Sequence, residues 1–350
     1  MPISYSLRGS NGLIAFDASN NPVGVINPDG TVNRFSPKTF TSFAGVSATA
    51  VASTFGAVGS YDSNSGNVRL NGTGAHGLTT AAIITPAINT GVYVTWTGGN
   101  GVSGVYPVTA LDVDTSGTKI TINLPYVAGT VTCTAGTPGV VNYTAHGRVA
   151  GDAIKFTTTG TLPTQLQGGG VFYVKSVTSA NSFTVASTVG GTDLTFDSAG
   201  SGTHTCTLWY GSAAVIAAGS TAATNTITLA SFTVEGNTLT TGGNIEANGL
   251  FSITSSANNK VLSVSYGASD LYNSGNLTTT TTVNVNKIAW ARGTGTVVTS
   301  PAAATGHGTA TTAYQALTLA YTTDLTLAFK TMMATANEVT TLQGYQVAVS

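Results

Sequence analysis

Polar and apolar residues alternate along most of this chain in short runs, and each run stops at a Gly, Asn, Asp or Pro. Lys119 to Leu124 (KITINL), Val171 to Val177 (VFYVKSV), Lys260 to Tyr266 (KVLSVSY) and Thr282 to Trp290 (TVNVNKIAW) are representative. A period of two puts every second side chain on one face, so such runs predict strands, and the punctuating residues supply the turns between them. Helical periodicity is nearly absent; Leu327 to Ala336 (LAFKTMMATA) reads equally well as a helix or a strand. Short strands at this spacing predict an all-β protein built from sandwiches or barrels.

Four segments follow along the chain. Residues 1–60 hold a hairpin-like stretch, GLIAFDASNNPVGVINPDGTVNRFS, with turn signals at Asn20-Asn21-Pro22 and Pro28-Asp29-Gly30, and then a small-residue stretch from Phe43 to Gly59. That segment is too small to bury a good core alone and reads as an N-terminal arm or docking segment. Residues 61–130 and 131–210 read as two related small β-modules. Ala75-His76-Gly77-Leu78 recurs as Ala145-His146-Gly147-Arg148, and Gly104-Val105-Tyr106-Pro107-Val108 recurs as Gly170-Val171-Phe172-Tyr173-Val174. A hairpin pattern follows each, LDVDTSGTKITIN in the first and VTSANSFTVAS in the second. Residues 211–350 change to longer strands, ending in TTAYQALTLAYT, DLTLAFKTMMA and LQGYQVAVS, and predict a jelly-roll-like β-sandwich.

Charge changes the picture most. Only 7% of the 350 residues are charged and the net charge is -1, against roughly 25% charged residues in an average soluble domain. Solubility then rests on Thr, Ser and Asn, and the weak field makes neither nucleic acid nor an anionic membrane a natural partner. A net charge near zero favours self-association, so a homo-oligomer is expected. No apolar run reaches the roughly 20 residues needed to span a bilayer. The opening MPISYSLRGSNGLIAFDASNN has no continuous apolar region and an early Asp17, and does not read as a secretory signal.

Candidate chemistry is sparse. The histidines are His76, His146, His204 and His307, and of these only His204 has a second metal-type ligand close by, Cys206; residues i and i+2 of a strand share a face. The bland alternative, histidines in Gly-bounded turns, is preferred. Asp112-Val113-Asp114-Thr115-Ser116-Gly117 resembles the start of a calcium loop, but Asn123 stands where the bidentate acid belongs. Two GxGxxG strings, at Gly72 to Gly77 and Gly99 to Gly104, do not open helices and so lack a phosphate cradle. The acids, among them Asp17, Asp29, Asp62 and Asp197, are dispersed beside turn residues, which does not favour the carboxylate pair of a depolymerase. Trp96, Trp209, Trp290 and Tyr266 could stack on sugars, although core anchoring is the commoner use of such residues. Asn71, Asn142 and Asn276 begin N-x-T triplets that read as turn chemistry. Cys133 and Cys206, at the opening and closing strands of the second module, are expected to lie near each other. No catalytic, cofactor or metal residues are assigned.

The second module also carries a resemblance. AHGRVAGDAIKFTTTGTLPTQLQGGGVFYVKSVTSANSFTVASTVGGTDLTFDSAGSGTHT has HG-x-x-x-GD-x-I-x-F, then LP-x-x-L, YV-x-x-V, NSFTVA and a closing GSGTHT. It resembles a module recurrent in the structural proteins of tailed bacteriophages, including tail, fibre and head-attached components. The first module departs from it, with Ala81-Ala82 in place of the GD step. TITLASFTVEGNTLTTGGNIEANGLFSITSSANNKVLSVSYG similarly resembles the knob domains of phage fibres and capsid-attached proteins. The resemblance implies a non-enzymatic virion surface protein assembled in the bacterial cytoplasm, a homotrimeric capsid decoration or fibre docked on other virion proteins. Alternatives are a tail-fibre protein binding host surface glycan, a tail-tube component and, behind these, a depolymerase. A protein made in that compartment keeps its thiols reduced.

Overall fold

The computed structural model describes residues 4–7, 13–16, 22–26, 32–34, 38–42, 45–78, 91–112, 117–219, 225–236, 238–239, 242–292, 295–300, 314–320 and 322–350. Among these residues the fold is all-β and contains no α-helix. The first four strands, β1 (Ser4–Leu7), β2 (Leu13–Phe16), β3 (Pro22–Ile26) and β4 (Val32–Arg34), form an antiparallel meander. The turn residues Asn20-Asn21 and Pro28-Asp29-Gly30 lie outside the described residues, as do Ala81-Ala82. Next come β5 (Lys38–Ser42) and β6 (Val46–Thr49).

The chain groups into two compact units, residues 47–227 with 333–339, and residues 1–46 with 228–332 and 340–350. These units do not follow the linear boundaries expected from the sequence. In the first, β7 (Val58–Asn64), β8 (Asn67–Gly72), β9 (Gly91–Thr97), β10 (Gly104–Asp112) and β11 (Lys119–Pro125) belong to one sheet. Six more strands, β12 (Ala128–Thr134), β13 (Val140–Asn142), β14 (Ala153–Thr158), β15 (Phe172–Ser179), β16 (Ser182–Ala186) and β17 (His204–Leu208), close a barrel in the order β12-β13-β16-β15-β14-β17. A 3-10 turn at Thr164–Leu166 follows β14 and seats Leu166 in the barrel core. Then β18 (Ser212–Val215) returns to the earlier sheet, whose order is β18-β9-β10-β11-β8-β7.

Position for position, the two ladders are the same. Reading β7 as β12, β8 as β13, β9 as β14, β10 as β15, β11 as β16 and β18 as β17 turns one order into the other. The duplication expected from the sequence is therefore present, but nested: the whole second module is inserted before the last strand of the first. The second barrel closes through the β12/β17 ladder from Ala128↔Thr207 to Val131↔His204. The first curls until its outer strands approach at the bridge Ala57↔Ala214, where Val215 N donates to Gly56 O at 2.9 Å.

Each module has its own core. Val131, Val141, Ile154, Phe156, Phe172 and Phe183 pack inside the closed barrel, and Phe55, Leu70, Val92, Val94, Ile120 and Ile122 inside the first. The repeated AHG segment serves both in the same way. His76 Nδ1 accepts from Leu78 N at 2.9 Å and His146 Nδ1 from Arg148 N at 2.8 Å. The intervening glycines have positive φ, +67° at Gly77 and +58° at Gly147, a conformation glycine adopts without a Cβ clash. Each histidine N–H bonds a carbonyl beside the following hairpin turn, Gly117 O or Ala180 O. Each ring then meets a core phenylalanine edge to face, Phe55 or Phe183.

The other unit is a sandwich. Its strands are β19 (Ile227–Val234), β20 (Asn244–Ile253), β21 (Lys260–Tyr266), β22 (Ser269–Asn273), β23 (Thr282–Ala291), β24 (Thr296–Thr299), β25 (Gln315–Thr318), β26 (Leu325–Met333) and β27 (Val339–Val349). One sheet runs β19-β26-β21-β22 and the other β25-β24-β23-β20-β27-β5. Early strands pair with late ones, β19 with β26 and β20 with β27, as the jelly-roll-like expectation requires. Leu327 to Met333 lies in strand β26, which resolves that ambiguous stretch. Its Phe329 joins the two sheets, with ring centroids 6.1 Å from Phe251 and 5.3 Å from Tyr345. β5, from the expected N-terminal arm, adds to the larger sheet beside β27 from Lys38↔Val349 to Ser42↔Tyr345.

Candidate functional site

The residues singled out in the sequence are distributed by the fold into separate positions, and the described histidines are held by hydrogen bonds within the protein. His146 Nε2 lies 3.0 Å from Ser179 O, and because its Nδ1 accepts from Arg148 N, the ring proton sits on Nε2 and donates to that carbonyl. His204 is held between Thr158 Oγ1 at 2.8 Å and Ala199 O at 3.0 Å, so both ring nitrogens are occupied by the protein. Its strand neighbour Cys206 shares the barrel interior with it. No group of three or more metal-ligating side chains occurs among the described residues. His307 and residues 113–116 of the calcium-like loop lie outside the described residues, as does the Asp112 side chain.

Cys133 and Cys206 are both free and both buried. The opening and closing strands of the module do pair, as expected, but Cys206 stands opposite Gly129 and Cys133 opposite Val141. Four residues of strand separate Gly129 from Cys133, about 13 Å, so a disulfide between the two thiols is out of reach without backbone movement. Burial pushes the Cys133 thiol up to about 11 and the Cys206 thiol up to about 12.

Four of the described acids are similarly committed, while Asp17 and Asp29 lie outside the described residues. Asp62 faces Arg69 across β7 and β8 in a two-point ion pair, 2.7 and 2.8 Å, which holds its carboxyl below the usual range. Asp152 accepts from Val149 N, Asp324 from Gly236 N, and Asp197 from the backbone and hydroxyl of Thr164. Gly72, Gly74, Gly99 and Gly101 of the two GxGxxG strings serve close packing. A Cβ on Gly72 would sit 2.2 Å from the Phe55 ring, and one on Gly101 would sit 2.4 Å from Trp96. Asn71 and Asn142 fall on the equivalent strands β8 and β13 and bond across to Ser60 and Thr134.

The aromatic residues divide between the units. Trp96 and Trp209 meet where the nested barrels adjoin: Tyr61 stacks on Trp209 at 5.1 Å and meets Trp96 edge to face at 5.4 Å. Lys155 Nζ lies 3.6 Å above the Trp209 ring. Asn100 closes the same junction by pairing with the Ala153 backbone, donating to its O at 2.8 Å and accepting from its N at 2.9 Å. Tyr266 is buried in the sandwich.

Trp290 behaves differently. It is 50% exposed, on the outer face of the larger sandwich sheet, with Tyr314 at 61% and Ile288 at 38%. These side chains, with Asn286, Val298, Thr299 and Ser300, line a groove of about 350 Å³. The ladder explains its shape: Trp290 pairs with Val298, which pairs with Ala316, so β24 forms a floor of small side chains between β23 and β25. Arg292 stands at the rim, 5.7 Å from the Tyr314 ring. Below the groove, Lys287 is fully buried, donates to Ser300 Oγ at 2.8 Å, and is lowered by burial to about 8. Core anchoring, the use preferred for Trp290 from the sequence, is not what the structure shows: on β23 the residue falls on the face opposite Val285, Ala289 and Ala291 and is half exposed among the described residues.

No family model matches the chain, and no curated protein matches it. Among solved structures, a fructosyltransferase from A. japonicus is 8% identical with a TM-score of 0.18, covering 99% of this chain and 65% of its own, so the chain spans just under two thirds of that protein's length. The infectious bursal disease virus Gt strain structure is 11% identical with a TM-score of 0.16, covering 92% of this chain and 74% of its own. Scores this low carry no argument about fold or function.

Proposed function

We propose that the protein is a non-enzymatic surface component of a tailed-bacteriophage particle, a homotrimeric capsid decoration or fibre that docks through its N-terminal part. One observation carries the reading: the residues of the phage-like motif coincide with a single structural unit. The GD step leads into β14, LP-x-x-L spans the 3-10 turn, YV-x-x-V lies in β15, NSFTVA makes β16 and GSGTHT enters β17. The motif accounts for four of the six strands of one closed barrel, β14 to β17, so it lies within a single folding module, and such modules are what a modular particle protein repeats. The low charge and the hydrogen-bonded state of the described histidines and of Asp62, Asp152, Asp197 and Asp324 agree with a structural role. Mass photometry of the isolated protein is expected to give a trimer. A hexameric ring would favour a tail tube, and a folded monomer at micromolar concentration would overturn the oligomer. Antibody raised against the chain is expected to decorate particle heads or fibres in negative stain.

A further inference from the structure

We infer that the Trp290 groove on the outer face of the sandwich binds an uncharged pyranose, and so gives the protein a site for neutral polysaccharide. The inference stands on the groove alone and does not rest on where the protein resides. An exposed tryptophan on a strand is costly to leave in water, and the same strand buries Val285, Lys287, Ala289 and Ala291 on its other face, so register fixes Trp290 outward. Adjacent strands lie about 4.8 Å apart, so walls on β23 and just before β25 stand roughly 10 Å from one another. One six-membered ring in van der Waals contact on both sides fills that gap. The apolar face of a pyranose matches the Trp290 indole, and its equatorial hydroxyls need uncharged partners at the ring edge.

Those partners are present. The Asn286 side chain makes no hydrogen bond within the protein among the described residues, which leaves its amide both a donor and an acceptor. Ser300 Oγ already accepts from Lys287 Nζ, so its own hydroxyl hydrogen remains to donate. Among the described residues no charged side chain lines the groove; Arg292 is turned to Tyr314 at its rim. A phosphate or carboxylate ligand would have no paired cation inside, and an apolar peptide side chain would leave Asn286 and Ser300 without partners.

The test uses the full chain with maltohexaose, cellohexaose and chitohexaose as probes, read by tryptophan fluorescence and calorimetry. At least one probe is expected to quench the acrylamide-accessible tryptophan signal, which should vanish in Trp290→Ala. Trp290→Ala should weaken binding about tenfold or more, Asn286→Ala less, with circular dichroism unchanged because both side chains are surface groups. Binding that survives in a Trp290→Ala/Tyr314→Ala double variant would place the sugar elsewhere and overturn the inference. Silence from all three probes at millimolar concentration would also overturn it. So would a Trp290 that acrylamide cannot reach in the assembled protein, because the groove would then be a subunit contact.

Discussion

The two nested barrels share a strand order and a histidine hinge, yet they solve the inner end of that hinge in opposite ways. In the first, the residue after His-Gly is Leu78, and it joins the hydrophobic core. In the second it is Arg148, just as buried, at 7% exposure in both cases. The Arg148 Nε and one terminal nitrogen have no hydrogen-bond partner, and the guanidinium rests 5.8 Å from the Tyr143 ring. Among the described residues no acid pairs with it, and such a buried charge costs stability that the closed barrel tolerates. The shared turn therefore accepts either a packing side chain or a poorly satisfied cation at its inner end.

The sharpest way to break the comparison is to exchange the two residues. Leu78→Arg puts a guanidinium into a core of aliphatic and aromatic side chains and is expected to cost roughly 4–5 kcal/mol. Arg148→Leu removes a poorly satisfied charge and is expected to gain about 1–2 kcal/mol. Urea unfolding measures both, and a destabilised Arg148→Leu would show that the guanidinium is doing something for the fold. Truncating the phenylalanine under each histidine comes next. Phe183→Ala and Phe55→Ala each create a cavity worth about 3–4 kcal/mol. Followed by hydrogen exchange, each loss should be confined to its own barrel if the cores are independent; spread through both would mean they unfold as one.

A smaller effect belongs to the junction. Asn100→Ala leaves the buried Ala153 N–H without its acceptor and should cost about 1–2 kcal/mol. Limited proteolysis would then be expected to cut sooner near residues 126 and 211, where the inserted barrel begins and ends. The smallest effect concerns the thiols. Both folded thiols ionise above their ordinary value of 9.0. Each therefore favours the folded state fully below pH 9, and that contribution is lost as pH rises toward about 11 for Cys133 and about 12 for Cys206. Iodoacetamide at pH 8 should leave both unmodified in the native protein and label both in urea. Cys206→Ala should soften the decline in stability between pH 9 and 11.

The comparison also marks how much the sequence discloses. The AHG repeat and the GVYPV/GVFYV repeat exposed the duplication because each encodes a local geometry, a hinge and a strand start. Nesting stayed hidden because β18, Ser-Ala-Ala-Val, carries no motif and acquires its identity only by pairing with β9 at Ser212↔Thr97. β5 escaped for the same reason: Lys-Thr-Phe-Thr-Ser is a generic strand, and its place beside β27 is a nonlocal fact. Cys133 and Cys206 share one barrel core, as expected, but that Cys206 stands opposite Gly129 and not opposite Cys133 is set by the whole ladder and lies beyond a residue count. At the candidate site, residue type alone pointed Trp290 to the core, whereas its exposed place and the floor between β23 and β25 follow from strand register and the order of three strands.

Nesting has a consequence for how the chain is made. The first barrel's closing strand leaves the ribosome only after all of β12 to β17, on the order of ten seconds behind β11 at ordinary synthesis rates. Until then the first module has an open edge, whereas the second has every strand it needs. The inserted barrel can thus mature first, and its closure at Ala128↔Thr207 brings the two ends of the insert together. That converts the search for β18 from the closing of a long, slack loop into a short step from an anchored end. A gene shuffled at this locus could accept any insert whose ends meet as closely, and would reject one whose ends do not.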